Sequence, residues 1–521
     1  MERRAVYPVD TASFERIIKE GMVYVDKTAY IHRILQEKGQ FYFLARPRRF
    51  GKSLFLDTLH RFFKGNRELF KGLAIDRLHQ EEWESFPVLH FNLTGIAYDN
   101  SGALWSILSS SLNRLEKEYE IQAEGETVCE RFNNLIINLT DKTGKKVVIL
   151  IDEYDTPLSS AIDKPELQEI YREQLYGFYS VLKKCDNYIK LCMLTGVTRY
   201  GKVSVFSGLN NLKDITFSDA YAGICGITEE ELHHYYSEGA GALAKAENIS
   251  VEDAFSLLKF NYDGYHFSKS LIDVYNPFSI NNALQDLEIK DYWCRSGVPT
   301  LLSKSLMEND FDLEELIGRE VDEAELTNLS FQTLNPVPLF YQTGYLTLKK
   351  YDLEYQLYTL GYPNREVEKG ILNNILQVYS HETSGTPSQI SKIKRSLKNG
   401  NPEEFVKLLG SFFSNIPVSL HERVSRYENY YHSIVYCIVQ LIGLDVDAEF
   451  ATSQGYIDIL IRTEKYIYLI ELKVNGSAED AIRQIETMGY GRPFEADHRK
   501  LFKIGIGFSK KTHTIESCVI I

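Results

Sequence analysis

Two groups of residues with chemical potential stand far apart in the 521-residue chain. The first lies in FYFLARPRRFGKSLFLDTLHRFF (41–63), which reads as strand, loop and helix. The loop ends in Gly51-Lys52-Ser53, the second half of the pattern G-x-x-x-x-G-K-[ST]. Glycine lets the main chain turn close to an anion, and the next helix offers free N–H groups and its positive dipole end. Lys52 would bridge the β- and γ-phosphates of ATP, and Ser53 would place its hydroxyl on Mg²⁺. Arg46 replaces the first glycine of the pattern. The loop of Arg46, Pro47, Arg48, Arg49, Phe50, Gly51, Lys52 and Ser53 is therefore expected to wrap phosphate at its own backbone angles, its arginines adding charge. A basic loop that binds some other anion is the plainer alternative.

Downstream, VVILIDEYD (147–155) places Asp152 and Glu153 at the carboxyl end of a central strand, where ligands sit in open α/β sheets. Asp152 would hold the Mg²⁺ shell and Glu153 would polarise the attacking water. An acidic turn capping a helix is the bland reading. A third run, LCMLTGV (191–197), leads to Thr195, placed to sense the γ-phosphate, and Arg199, placed to neutralise transition-state charge. Arg199 would act in its own site or across the interface of a homo-oligomer. Both are otherwise ordinary turn residues.

The second group lies near the C-terminus. In KYIYLIELKV (465–474) both strand faces are apolar as far as Ile470, so the strand is expected to be buried. Glu471 and Lys473 then share a face, since side chains alternate with period two. Charges there are costly unless paired or bound to metal. Asp458 interrupts the apolar run GYIDILI. Asp458, Glu471 and Lys473 match Asp-x(n)-Glu-x-Lys, the arrangement of PD-(D/E)XK phosphodiesterases. In that arrangement two carboxylates hold Mg²⁺ and lysine orients or deprotonates water. Glu428, in the preceding helix, would be a third metal ligand. His432 is one turn further on and reads as core, and Gln484 and Tyr490 trail the site. The competing reading is a structural ion pair at a sheet end.

Elements must hold these residues in place. Short apolar runs alternate with amphipathic stretches over residues 1–215, the pattern of an α/β domain built on a parallel sheet with helices on both faces. Residues 216–330 read as mainly helical, with Thr228 and Glu231 a capping signal. Residues 331–400 read as a hairpin and helical connector, with Gly361, Pro363 and Asn364 as turn residues and HETSGTPSQI (381–390) as linker. Residues 401–521 read as helix, strand, strand, helix, with Arg499, Lys500, Lys503, Lys510 and Lys511 forming either a rim for a phosphate backbone or plain solvated charge. The seven cysteines show no C-x-x-C spacing, and 58 Lys+Arg against 72 Asp+Glu exclude a histone-like protein. With neither a signal peptide nor an apolar run near 20 residues, a cytoplasmic protein with no membrane partner is expected.

The chain resembles the AAA-ATPase-like family of bacterial and archaeal proteins, whose ATPase domain is followed by a PD-(D/E)XK nuclease-superfamily domain. The similarity rests on YVDKT (24–28), RPRRFGKS (46–53), IDEYDTPL (151–158), LTGVTR (194–199), FSGLNNL (206–212) and YNPFSI (275–280). Arg46 agrees with this family's form of the loop. The resemblance implies a multidomain α/β protein: a P-loop NTPase domain, a helical middle and a restriction-endonuclease-like α/β domain. With the residues above it leads to an ATPase using ATP and Mg²⁺, coupled to a metal-dependent endonuclease acting on DNA. One alternative is a nucleotide-dependent switch whose C-terminal domain binds nucleic acid or protein without cutting. Another is a transferase using the basic loop for a different phosphate ligand.

Overall fold

Strands that are apolar on both faces can be buried only inside a parallel sheet covered by helices, and the N-terminal sequence supplies several. The computed structural model describes residues 5–199, 209, 211–296, 302, 305, 313–327, 329, 335–380, 386–414, 427–452, 455–474, 476–509 and 514–521. Helices α1 (Phe14–Glu20) and α2 (Ala29–Glu37) precede β1 (Phe41–Ala45) and α3 (Lys52–Phe63). Strands β2 (Val88–Asn92), β3 (Val147–Asp152), β4 (Ile189–Gly196) and β5 (Lys213–Asp214) join β1 in one sheet. Its order is β2-β3-β4-β1-β5, and every neighbouring pair is parallel. Strands β1 and β3 are buried along their whole length. Because β4 lies between β1 and β3, the ends of three strands converge on one edge. That edge carries the Arg46–Gly51 loop, Thr195 and Asp152.

After β5, the short strands β6 (Ile227–Thr228) and β7 (Val274–Tyr275) pair antiparallel. Between them run helices Glu229–Glu247 and Val251–Tyr262. The Thr228 hydroxyl accepts the Glu231 N–H, and the Glu231 carboxylate accepts the Thr228 N–H, so the capping signal operates. Helix Pro277–Asp286 follows. Strands β8 (Glu320–Val321), β9 (Thr347–Asp352) and β10 (Leu357–Gly361) form an antiparallel sheet in the order β8-β10-β9. The hairpin turns at residues 353–356. Gly361, Pro363 and Asn364 instead lead into the helix Arg365–Ser380, where Asn364 Oδ1 accepts the Val367 N–H.

The chain divides into two compact units. The N-terminal unit comprises Met1–Ser296 with Ile317–Val367, and the C-terminal unit comprises Gly297–Leu316 with Glu368–Ile521. The stretch 331–400, expected as one connector, is thus shared between units, because β10 completes its sheet with β8. The linker candidate 381–390 begins outside the described residues. From Thr386 it is helical (Thr386–Lys398), with Pro387 in the first turn, where a missing N–H costs nothing.

In the C-terminal unit, helix Tyr427–Ile442 precedes β11 (Asp445–Thr452), β12 (Gly455–Arg462) and β13 (Tyr466–Val474). Helix Ala478–Thr487, β14 (Lys500–Phe508) and β15 (Ile515–Ile520) follow. The sheet order is β11-β12-β13-β14-β15, with β13 and β14 parallel and the other pairs antiparallel. The residues expected to form one strand before KYIYLIELKV form two, β11 and β12. Strand β13 is central and buried from Ile467 to Leu472. The protein is therefore α/β and multidomain, with a parallel sheet, a helical middle and a mixed sheet. No helix among the described residues is long and apolar enough to cross a membrane.

The helix Ala478–Thr487 lies close on β14 because Gly505 has no side chain. A Cβ there would stand 2.3 Å from the Ala478 carbonyl oxygen. Gly505→Ala should therefore cost the C-terminal unit roughly 2 kcal/mol, within the range for overpacked positions, measured by urea unfolding followed by circular dichroism.

Candidate functional site

Strand β1 ends at Ala45, and the chain then turns through Arg46–Gly51 into α3. Arg49 (φ 66°) and Gly51 (φ 94°) take left-handed backbone angles. No Cβ obstacle stands near Gly51. Among the described residues, the main-chain N–H groups from Arg48 to Leu54 meet no acceptor. Seven consecutive free donors at a helix N-terminus make an anion cradle, and the helix dipole adds to it. Lys52 is 3% exposed, and its Nζ donates to the carbonyls of Arg46 (3.0 Å) and Pro47 (3.1 Å). The same Nζ lies 3.5 Å from Glu153 Oε1. Ser53, half-buried, follows in the first turn of α3.

Three loop residues behave differently from expectation. Arg46, expected to add charge for phosphate, is turned inward and 1% exposed. Its guanidinium donates to the carbonyls of Ala45, Thr216 and Tyr221 and lies 4.2 Å from the Phe267 ring centre. Its charge is committed to main-chain carbonyls and is not offered to a ligand. Phe50 is buried against Tyr265 and Phe267. Pro47 packs where a Cβ on Gly344 would fall, 2.7 Å away. Arg48 and Arg49 remain exposed, Arg49 with its guanidinium 3.9 Å from the Phe278 ring centre.

Asp152, 1% exposed, ends β3, and the Thr195 hydroxyl donates to its Oδ1 at 2.6 Å. Thr195 thus orients the carboxylate expected to hold metal. Glu153 adopts φ 54°, a strained angle for a non-glycine residue. Burial pushes its carboxyl up, the Lys52 ammonium opposes this, and Asp155 and Asp152 add to it. A carboxyl raised in this way is better matched to taking a proton near neutrality. Arg199 is not free: its Nε lies 2.8 Å from Asp214 Oδ2, and its main-chain N–H donates to Gln342 Oε1. The expected role in charge neutralisation therefore meets a guanidinium already paired within its own chain.

In the C-terminal unit, Ile459 pairs with Ile470, which sets Asp458 beside the end of β13. Asp458 Oδ2 accepts the Leu472 N–H at 2.7 Å. Glu471 is 1% exposed, its Oε1 accepting from Lys473 Nζ at 3.1 Å. Its Oε2 is buried and meets no hydrogen-bond partner among the described residues. Such an orphaned carboxylate oxygen is what a divalent cation would satisfy, and an acid–lysine pair beside it suits water activation. Burial pushes the Glu471 carboxyl up to about 7, the Asp458 charge adds to this, and Lys473 opposes it. Glu428 lies in the helix Tyr427–Ile442, but its side chain and that of His432 fall outside the described residues. No group of three metal-ligating side chains occurs among those described. Gln484 is half-buried, and Tyr490 packs into the core beneath β12 and β13.

The basic rim is mostly neutralised internally. Arg499 pairs with Asp497, Lys503 pairs with Glu486, and Lys500 lies over the Phe502 ring. Lys510 and Lys511 fall outside the described residues, as does most of FSGLNNL (206–212).

Sequence reasoning missed the residues that hold the first site in shape. Asp155 accepts the N–H groups of Val197 and Thr198 and the Thr198 hydroxyl, clasping the end of β4 to the turn after β3. A Cβ on Gly196 would fall 2.6 Å from both Asp155 Oδ1 and the Tyr154 ring. Lys27 of YVDKT is buried, donating to the Gly223 carbonyl and pairing with Glu231 at 2.5 Å. An aspartate two residues beyond a functional acid was the one signal for Asp155. For Lys27, whose partner Glu231 is 204 residues away, local pattern offers none.

Residues 8–206 match the model of a predicted AAA-ATPase family, and residues 426–518 match that of the PD-(D/E)XK nuclease superfamily. Over 528 aligned residues the chain is 32% identical to an uncharacterized protein in the vnfD 5' region of Azotobacter chroococcum mcd 1. The alignment covers 99% of this chain and 99% of that relative. The first matched span contains the loop, Asp152, Glu153, Thr195 and Arg199. The second contains Glu428, Asp458, Glu471 and Lys473.

A pH test follows from Glu471. Its folded value of about 7 exceeds the ordinary 4.5, so the folded state holds the proton more tightly. Stability therefore falls as pH rises from about 4.5 through about 7. In metal-free protein, Glu471→Gln should raise the Tm at pH 8 and change it little at pH 5. Mg²⁺ at pH 8 should raise the wild-type Tm and leave that of the variant unmoved. A wild-type Tm indifferent to Mg²⁺ and Mn²⁺ would count against a metal site.

Proposed function

Because the chain belongs to the predicted AAA-ATPase-like family, its ATPase-like domain joined to a PD-(D/E)XK nuclease-superfamily domain, we propose that it hydrolyses ATP and cleaves DNA, each with Mg²⁺. The observation that carries the ATP reading is the run of free N–H groups from Arg48 to Leu54, set beside buried Lys52. The cradle would hold the phosphates, and Lys52 would exchange its carbonyl partners for phosphate oxygens. The Ser53 hydroxyl and the Asp152 carboxylate, oriented by Thr195, fit a magnesium ion, which supplies charge neutralisation for phosphoryl transfer. Glu153 would take the proton of the attacking water.

In the second domain, Asp458 and the unpartnered oxygen of Glu471 fit a divalent cation, with Glu428 the proposed third ligand. The cation would supply Lewis acidity at a phosphodiester. Lys473 would hold or release a proton at the attacking water. A second reading keeps the domain as a binding module that does not cut. The internal neutralisation of Arg499 and Lys503 favours it, since a duplex needs free cations to meet its phosphates.

ATP turnover followed by phosphate release tests the first site. Lys52→Ala should lower kcat/KM by at least about 100-fold, the scale of losing one preorganised charge stabiliser. Plasmid and single-stranded DNA incubated in Mg²⁺ or Mn²⁺ test the second. Wild type should cut and Glu471→Ala should not. ATP turnover with intact DNA would select the binding-module reading.

A further inference from the structure

Trp293 reaches the phosphate loop from residues far away in sequence. Its indole N–H donates to the Arg48 carbonyl at 3.1 Å. A trans peptide is planar, with its C=O and N–H pointing in opposite directions. Drawing the Arg48 carbonyl toward Trp293 therefore aims the Arg49 N–H to the other side. The Gly226 N–H does the same for the next peptide but one, donating to the Phe50 carbonyl at 3.1 Å and so turning the Gly51 N–H. The direction of the cradle's donors is thus set partly by what lies outside it.

Trp293 is itself held. It is 5% exposed, with its ring 4.9 Å from that of Tyr345. Its main-chain N–H donates to Glu366 Oε1 at 2.5 Å. The other oxygen of Glu366, which is 2% exposed, accepts from the Ser279 hydroxyl at 2.7 Å. These positions matter because of where the chain goes next. It leaves the N-terminal unit after Ser296, three residues beyond Trp293, and again after Val367, one residue beyond Glu366. The Glu366 carboxylate therefore ties together the two stretches that lead to the C-terminal unit, accepting from the main chain at Trp293, whose indole reaches the phosphate loop.

We propose that Trp293 is a positioning residue for the phosphate loop and that, through Glu366, it carries the loop's occupancy to the stretches leaving the N-terminal unit. The proposal rests on the nucleotide reading of the loop. When phosphate binds the N–H groups of the cradle, the Arg48–Arg49 peptide is pulled from the ligand side. The strength and angle of the Trp293 contact change with it, and Glu366 passes that change to the first turn of the helix Arg365–Ser380. The coupling is reciprocal, so loosening the tie weakens nucleotide binding.

The test combines calorimetry with hydrogen exchange on the full chain, using a non-hydrolysable ATP analogue and Mg²⁺. In wild type, saturating analogue should slow exchange in peptides covering residues 368–380. Trp293→Phe keeps the ring packing and removes the indole N–H. It should bind the analogue about fivefold more weakly, the scale of one hydrogen bond, and at saturation its residues 368–380 should no longer respond. Glu366→Gln, which retains the shape and can still accept one hydrogen bond, should reduce the response and serves if Trp293→Phe does not fold. A response unchanged in either variant at saturation, or no response in wild type that binds the analogue, overturns the coupling alone. Wild type that fails to bind the analogue overturns the nucleotide reading, and the coupling with it.

Discussion

The Arg46–Gly51 loop takes its place from a guanidinium turned into the protein, away from the loop's row of N–H donors. A buried cation is costly unless its donors are satisfied, and Arg46, whose Nε meets no partner among the described residues, spends its two terminal nitrogens on the carbonyls of Ala45, Thr216 and Tyr221. Two of those belong to chain that follows the parallel sheet, and the ring under the guanidinium, Phe267, lies further on still. The start of the loop is therefore fixed by residues 216–267 as much as by β1. The compact unit that holds the loop accordingly runs to Ser296 and resumes at Ile317.

Both candidate sites hold a lysine against an internal partner. Lys52 donates to two loop carbonyls and faces Glu153, and Lys473 donates to Glu471. Lys52, a buried ammonium without ligand, must find such partners, because leaving it unpaired costs more than the pair returns, whereas Lys473 is partly exposed and its buried partner Glu471 is the group in need. Ligand binding at either candidate site would then be an exchange of contacts. The two sites differ in what remains open. The first keeps a row of N–H donors with no acceptor, whereas the second keeps one orphaned carboxylate oxygen, Glu471 Oε2. The first is accordingly the more completely assembled among the described residues.

What could be read in the sequence follows the range of the forces involved. Strands β1, β3 and β4 of the parallel sheet, the Thr228–Glu231 cap and the buried β13 all arise from patterns within about ten residues, and all were legible. The placement of Lys52 near Asp152, and of Asp458, Glu471 and Lys473 at one strand end, also follows from local pattern, since strand ends and period-two alternation set it. The inward turn of Arg46 was not legible, nor was the pairing of Arg199 with Asp214. Both depend on what lies opposite in space, and a cation looks the same in sequence whether it faces a phosphate or a carbonyl. Strand β5, only two residues of mixed charge, leaves no pattern at all. The division of β11 from β12 was hidden because ATSQGY carries no proline and its single glycine, Gly455, opens β12.

The same range argument explains how the loop can hold a left-handed angle at a residue other than glycine. In the general pattern glycines supply left-handed angles freely, and here one of the two such positions is Arg49. A non-glycine residue there costs about 1 kcal/mol. The neighbours offset it: Arg49 lies over Phe278, Trp293 holds the carbonyl before it, and Gly226 holds the Phe50 carbonyl after it. Backbone direction that glycine would leave to the loop is imposed from the helical middle and from Trp293. Such a loop cannot be shaped by its own eight residues. It needs a middle region that presents an aromatic face, an indole N–H and a main-chain N–H at fixed places. The conformation of RPRRFGKS is for that reason written in residues 216–293 as well as in its own eight.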